Sequence, residues 1–309
     1  ALTMGEQRGD GRGAGDRLDA PESRVRGLSC WRGPVAVEPL KGGITNVNFL
    51  VRQGPDRFVV RLGDDIPAHQ ILRAAERAAS LAAYAAGISP EVVHWETGVL
   101  VLRFIDGAAM TPESVRNPAN LTRLVALIRK CHDEVPLHLR GPATAFWPFH
   151  VIRDYAHAIE AAGSRWMPRI DGLLAAAASL ERTLGPARTV FGHNDLLPAN
   201  VIDDGARLWL LDWDYAGFGS PLFDLANLAS NADCDPAAER LILASYFGPE
   251  PDAALWRSFR AMRCVSLLRE AMWGMVSAID PRIDFDYRAY AEGYLERFAR
   301  ALAALERSD

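Results

Sequence analysis

Only four cysteines occur among the 309 residues, Cys30, Cys131, Cys234 and Cys264, and they lie too far apart for a CxxC metal knuckle or a disulfide framework. They are expected to be ordinary thiols in a reducing cytoplasm. No apolar run approaches the roughly 18 residues that a membrane helix needs, and the first residues lack the charged-then-apolar order of a secretory leader. Membrane insertion and export are therefore not expected. Neither sign of charge dominates: 34 Lys plus Arg stand against 39 Asp plus Glu, a net of −5. With no basic stripe interleaved with aromatics, nucleic acid is not an expected partner. Nothing in the sequence specifies an oligomeric state. What is abundant is apolar residues, 49% of the chain, enough to build the core of one large domain or two ordinary ones.

Residues 1–20 are rich in Gly, Arg and Asp and almost free of large apolar side chains, so a loose tail is expected. After a short helical stretch at 23–30, strand-like runs at 35–39, 46–53 and 57–62 are separated by Gly42-Gly43 and Gly54-Pro55-Asp56 turns, which predicts an antiparallel meander. Residues 71–86 are Ala-rich with apolar residues at helical spacing and stop at Gly87, before strand-like runs at 91–95 and 98–105. From Pro112 onward helical patterns dominate, interrupted by strand-like pieces at 189–192, 200–203 and 207–212. The change of texture sets a boundary near 106–111, with lobes at 21–106 and 107–309.

The chemistry is concentrated in His193-Asn194-Asp195-Leu196-Leu197-Pro198-Ala199-Asn200, an H-x-D-x4-N pattern. Phosphoryl transfer needs little covalent help; it needs a carboxylate for the acceptor hydroxyl, oxygen ligands for a metal that holds the phosphates, and a cover for the nucleotide. Asp195 suits the first role. A hairpin between Asn200 and Asp212, twelve residues apart, would set two oxygen ligands for magnesium side by side. Taken alone, His-Asn-Asp would read equally as a polar turn with Asp195 capping a helix; the added spacing to Asn200 and Asp212 favours catalysis. Leu40-Lys41-Gly42-Gly43-Ile44-Thr45-Asn46 lies between two strands, where glycines let backbone N–H groups approach phosphate. Arg61 on the third strand and Glu76 on the following helix form the expected pair of phosphate-neutralising cation and supporting acid. Arg103 to Gly107, with Arg103 and Ile105, is the natural edge for adenine, and a plain linker between domains would read the same way.

These residues resemble the choline/ethanolamine kinase branch of the aminoglycoside-phosphotransferase-like enzymes. The similarity runs from residue 28 to 298 and is strongest over 191–228, FGHNDLLPANVIDDGARLWLLDWDYAGFGSPLFDLANL; Lys41 to Asn46 is similar to the branch's GG[ILM][TS]N loop. The resemblance implies a bilobal α+β, protein-kinase-like fold, with a small antiparallel-sheet lobe, a larger mainly helical lobe and ATP in the cleft. It also implies Asp195 as catalytic base, Asn200 and Asp212 as Mg2+ ligands, Asp214 as an acid approaching metal or amine, and Asp224 as a buried brace of the loop together with His193. Trp273 and Tyr290 stand where choline kinases place cage aromatics, as recognition of a quaternary ammonium requires. Val276 departs from the pattern of the eukaryotic members, which have a second tryptophan there, leaving Trp213 or Tyr215 to complete the cage. The expected activity is ATP-dependent phosphorylation of choline. Ethanolamine, thiamine, an amino sugar or an aminoglycoside are alternative acceptors, and a catalytically inactive nucleotide-binding scaffold is an alternative of another class.

Overall fold

A computed structural model describes the backbone of residues 15–40, 46–186, 188–281 and 284–307, and their side chains from residue 21 onward. Two compact units are formed, Ala1–Gly63 with Val93–Phe104, and Asp64–Val92 with Ile105–Asp309.

The smaller unit is built on a five-stranded sheet in the order β1-β2-β3-β5-β4, from strands β1 (Ala36–Leu40), β2 (Val47–Gln53), β3 (Asp56–Leu62), β4 (Val92–Glu96) and β5 (Val99–Arg103). The expected meander is present, with β2 and β3 in register from Val47↔Leu62 to Gln53↔Asp56 across the Gly54-Pro55 turn. Alternation along the strands sends Phe49 and Val51 of β2 and Phe58 and Val60 of β3 to one face. There they join Val37, Val99 and Val101 in one core with Val25 and Leu28. Val25 belongs to helix α1 (Gly15–Arg26), which begins inside the stretch expected to be a loose tail. Residues 15–20 thus form the first turns of this helix, and residues 1–14 lie outside the described part.

Among the described residues the larger unit carries the other helices. Helix α2 (Arg73–Ala85) packs on α4 (Pro118–His138), which is why residues 64–92 group with this unit rather than with the sheet that precedes them in the chain. Three short strands, β6 (Ala108–Ala109), β9 (Val201–Asp203) and β10 (Leu208–Leu210), form one small sheet. Another is formed by β7 (Thr144–Ala145), β8 (Val190–Gly192) and β11 (Gly217–Gly219). Helices α3 (Pro112–Arg116), α5 (Pro148–Ala161), α6 (Met167–Thr183), α7 (Pro221–Asn231) and α8 (Pro236–Phe247) all have proline in the first turn, where its missing N–H is not needed. The 25-residue α9 (Ala253–Ser277) is buried along most of its length between α5, α6, α7 and α10 (Tyr287–Glu306). At Gly274 the last two helices meet so closely that a Cβ would lie 3.0 Å from Tyr290 Cδ1 and 3.3 Å from Ala291 Cβ. Among the described residues no helix is long and apolar enough to cross a membrane.

Candidate active site

The loop after β8 is held from beneath by one buried carboxylate. Asp224, in the first turn of α7, accepts the backbone N–H of His193 at 2.8 Å and of Asn194 at 2.7 Å. His132 of α4 donates Nε2 to Asp224 Oδ2 at 2.9 Å, with its Nδ1 2.7 Å from the Tyr246 hydroxyl. Burial raises the Asp224 carboxyl, but the His132 hydrogen bond and charge, together with His193, outweigh that and hold it below its ordinary value. Gly192 fits where a Cβ would come within 3.1 Å of Asp224 Oδ2, so the loop can lie directly on the carboxylate.

His193 is fully buried, and burial lowers its pKa, keeping the ring neutral near pH 7. Its Nε2 donates to Leu211 O at 2.8 Å while Nδ1 accepts Asp195 N at 3.3 Å, which fixes the tautomer. Asn194 takes a left-handed backbone (φ 63°), and its amide donates to the carbonyls of Gly192, Tyr215 and Gly217. Leu196 N donates to Asn227 Oδ1 at 2.6 Å. The result is a loop anchored on both sides of Asp195. Burial pushes the Asp195 carboxyl well above the usual carboxylate range; Arg269 opposes this, while Glu270, Asp212 and Asp214 add to it.

The expected hairpin forms between β9 and β10, with Leu210 opposite Val201 and Leu211 N donating to Asn200 O at 2.8 Å. Asp212 therefore follows directly on the residue bonded to Asn200. Asn200 Nδ2 donates back to Asp195 O at 2.9 Å, so its amide orientation is set and Oδ1 is directed away from that carbonyl. Asp212 lies past the strand end in the left-handed region (φ 68°), a conformation that disfavours a residue with a Cβ. Among the described residues no group of three or more His, Cys, Asp and Glu side chains is arranged to hold a metal by itself. An amide oxygen and a carboxylate fit Mg2+, which takes few protein ligands and completes its shell with water and phosphate oxygens.

Asp214 does not stand alone. Arg73, the first residue of α2, donates Nη1 to Asp214 Oδ1 and to Glu76 Oε2, both at 2.7 Å, with both acids buried. Its Nε donates to Asp64 O at 3.0 Å and its backbone N–H to Asp65 Oδ1 at 2.7 Å. No local spacing marks Arg73 in the sequence, because its partner Asp214 is 141 residues away. In the sheet unit, Arg61 is buried in β3, opposite Leu100 of β5 and Asn48 of β2. Arg103 closes β5, with its guanidinium 3.3 Å from Asp56 Oδ1 and over the Phe58 ring. Asn46 directly precedes β2, and Ile105 opens the second segment of the larger unit. Gly42, Gly43 and Thr45 lie outside the described residues.

Trp273 and Tyr290 come together across α9 and α10, with ring centroids 5.7 Å apart and an angle of 69°. Trp213 does not join them, because its ring packs edge-on to His193 at 4.9 Å and its indole N–H donates to Ser89 Oγ. Tyr215 does: its hydroxyl accepts Trp273 Nε1 at 3.0 Å. His69 stacks on the Trp273 ring at 5.4 Å, held by the Tyr155 hydroxyl and Ser277 Oγ. The Tyr290 hydroxyl donates to Glu270, whose other oxygen takes Arg269 Nη1 at 2.9 Å. Arg269 in turn lies over the Tyr215 ring at 4.2 Å. Glu270 precedes Trp273 by one helical turn, and that i, i+3 spacing was a readable signal that it shares a face with the aromatic residue.

An antiparallel-sheet unit and a helical unit carrying this loop and hairpin define a protein-kinase-like phosphotransferase fold. The chain belongs to the phosphotransferase enzyme family, which matches residues 36–262. A choline/ethanolamine kinase family protein from Mesorhizobium loti superposes with a TM-score of 0.73 at 29% identity, over 94% of this chain and 98% of that one. The choline kinase LicA from Streptococcus pneumoniae has a TM-score of 0.75 at 20% identity, again over 94% and 98%. Protein LicA of Haemophilus influenzae is 26% identical over 210 residues, which cover 66% of this chain and 61% of that protein, less than two thirds of its length.

Proposed function

We propose that this chain transfers the γ-phosphoryl group of ATP to the hydroxyl of a small amino alcohol, with choline as the acceptor. The observation that carries the acceptor class is Glu270, a buried carboxylate bonded to Tyr290 beside Trp273 and electrostatically coupled to Asp195. Aromatic faces and an acid suit an ammonium group, and the family relation to a choline/ethanolamine kinase family protein supports the same reading.

Asp195 is the base that orients the acceptor hydroxyl and takes its proton, and His193, Asn194 and Asp224 keep it in place. Asn200 and Asp212 are the residues that hold Mg2+, which supplies neutralisation of the phosphate charge. Gly42, Gly43, Thr45, Asn46, Arg61, Glu76, Arg103 and Ile105 serve the nucleotide. Asp214, Trp273 and Tyr290 serve the acceptor, joined by Tyr215 and Glu270. Ethanolamine is the second reading, because a primary ammonium can donate hydrogen bonds to Glu270 where choline cannot.

ADP release, measured by a coupled assay over choline, ethanolamine, thiamine, amino sugars and aminoglycosides, tests this. Choline should stimulate turnover most, and Asp195→Asn should lower kcat by about 100-fold or more with nucleotide affinity little changed. Stimulation only by a sugar or an aminoglycoside would overturn the acceptor, and near-normal turnover by Asp195→Asn would overturn the mechanism.

A further inference from the structure

We propose that Arg73 is a positioning residue for the metal-binding segment, acting through Asp214 to hold Asp212 in its left-handed conformation. The inference rests on the proposed role of Asp212 and goes beyond it, since Arg73 has no part in the function proposed above.

Asp212 at φ 68° lies in a region that a side-chain-bearing residue occupies only when its neighbours over-determine it. On the upstream side Leu211 provides the restraint, with its N–H on Asn200 O and its carbonyl accepting His193 Nε2. Downstream, Trp213 is tied to Ser89 through its indole, and Asp214 is tied to Arg73. Of these restraints the Arg73 pair is the charged one. It joins two side chains exposed by 16% and 3%, where an ion pair is screened far less than at the surface. Arg73 is itself immobilised: Nε is on Asp64 O, its backbone N–H is on Asp65, and Nη1 is shared with Glu76. A single guanidinium thus registers the 212–214 segment against the start of α2. It also offsets the repulsion between the Glu76 and Asp214 carboxylates that share it. Without it, Asp214 loses this charged tether and Asp212 can relax toward an ordinary backbone conformation, moving its carboxylate from the position that the left-handed backbone gives it.

The test is a Mn2+ titration of the full chain with ADP present, read by electron paramagnetic resonance, on wild type, Arg73→Ala, Asp214→Ala and the double variant. Arg73→Ala should weaken Mn2+ binding by about tenfold or more, as losses in supporting shells around metal ligands do. In the Asp214→Ala background the same change should alter affinity less than about twofold, because the path through Asp214 is already cut. Equal losses in both backgrounds would overturn the proposal, as would unchanged Mn2+ affinity in a folded Arg73→Ala. If Arg73→Ala does not fold, Arg73→Lys replaces it. A lysine keeps the charge but not the fork that serves Asp64, Glu76 and Asp214 together, so partial recovery is expected and wild-type affinity would overturn the proposal. Mn2+ binding needs no acceptor, so a chain inactive on every alcohol would sink the proposed function while leaving this titration decisive. A wild-type chain that binds no Mn2+ would overturn both.

Discussion

Asp224 shows how much one residue carries. It takes two backbone amides and an imidazole on a carboxylate that is 1% exposed. Asp224→Asn keeps the size but loses the charge that those donors are arranged to meet, and a loss of about 2–3 kcal/mol in unfolding free energy is expected by denaturant titration. The pH dependence has a definite sign. A carboxyl held below its unfolded value contributes its full stability above about pH 4, and that contribution is lost as pH falls through the lower folded value. The thermal midpoint of wild type should therefore fall more steeply on acidification below about pH 4 than that of Asp224→Asn. Of this arrangement the short spacing in the sequence marks Asp195 and Asn200, while Asp224 of Phe223-Asp224-Leu225 was pointed to by the family resemblance. Neither reveals His132, which is 92 residues from Asp224.

Among the elements, the contact of α9 with α10 decides where the aromatic residues stand. The sequence shows only a helical pattern from Pro112 onward, and Trp273 and Tyr290 were candidates through the family resemblance. Their meeting depends on Gly274, which lets the helix backbones approach where any Cβ would press on the Tyr290 ring. Gly274→Val should lower stability by about 1–3 kcal/mol through overpacking, and by displacing Tyr290 it should raise the acceptor KM more than the nucleotide KM. Equal effects on both Michaelis constants would mean that the two helices do not set the acceptor site. The hairpin of β9 and β10 is the converse case. Its strands, turn and end residues are contiguous, so its register could be anticipated, whereas the left-handed backbone at Asp212 could not.

In the molecule as a whole the four cysteines are all free thiols, and three are buried in the larger unit. Burial pushes Cys131 well above its ordinary pKa and raises Cys234 and Cys264 to about 12, so their reactive thiolates are scarce. A thiol reagent such as DTNB should label Cys30 in the native chain, although its pKa is also raised by burial, and all four only after denaturation. Rapid labelling of more than one thiol would contradict the packing of the helical unit. Chain order is sufficient for the hairpin of β9 and β10 and for the pairing of β2 with β3, because their partners lie within a few residues of a turn. It also suffices to place the chain among phosphotransferases. Packing alone brings Arg73 to Asp214, His132 to Asp224, and α2 to the helical unit rather than to the sheet beside it in sequence. The two side-chain contacts join residues 141 and 92 positions apart, and no local spacing, only the burial of complementary helix faces, specifies them.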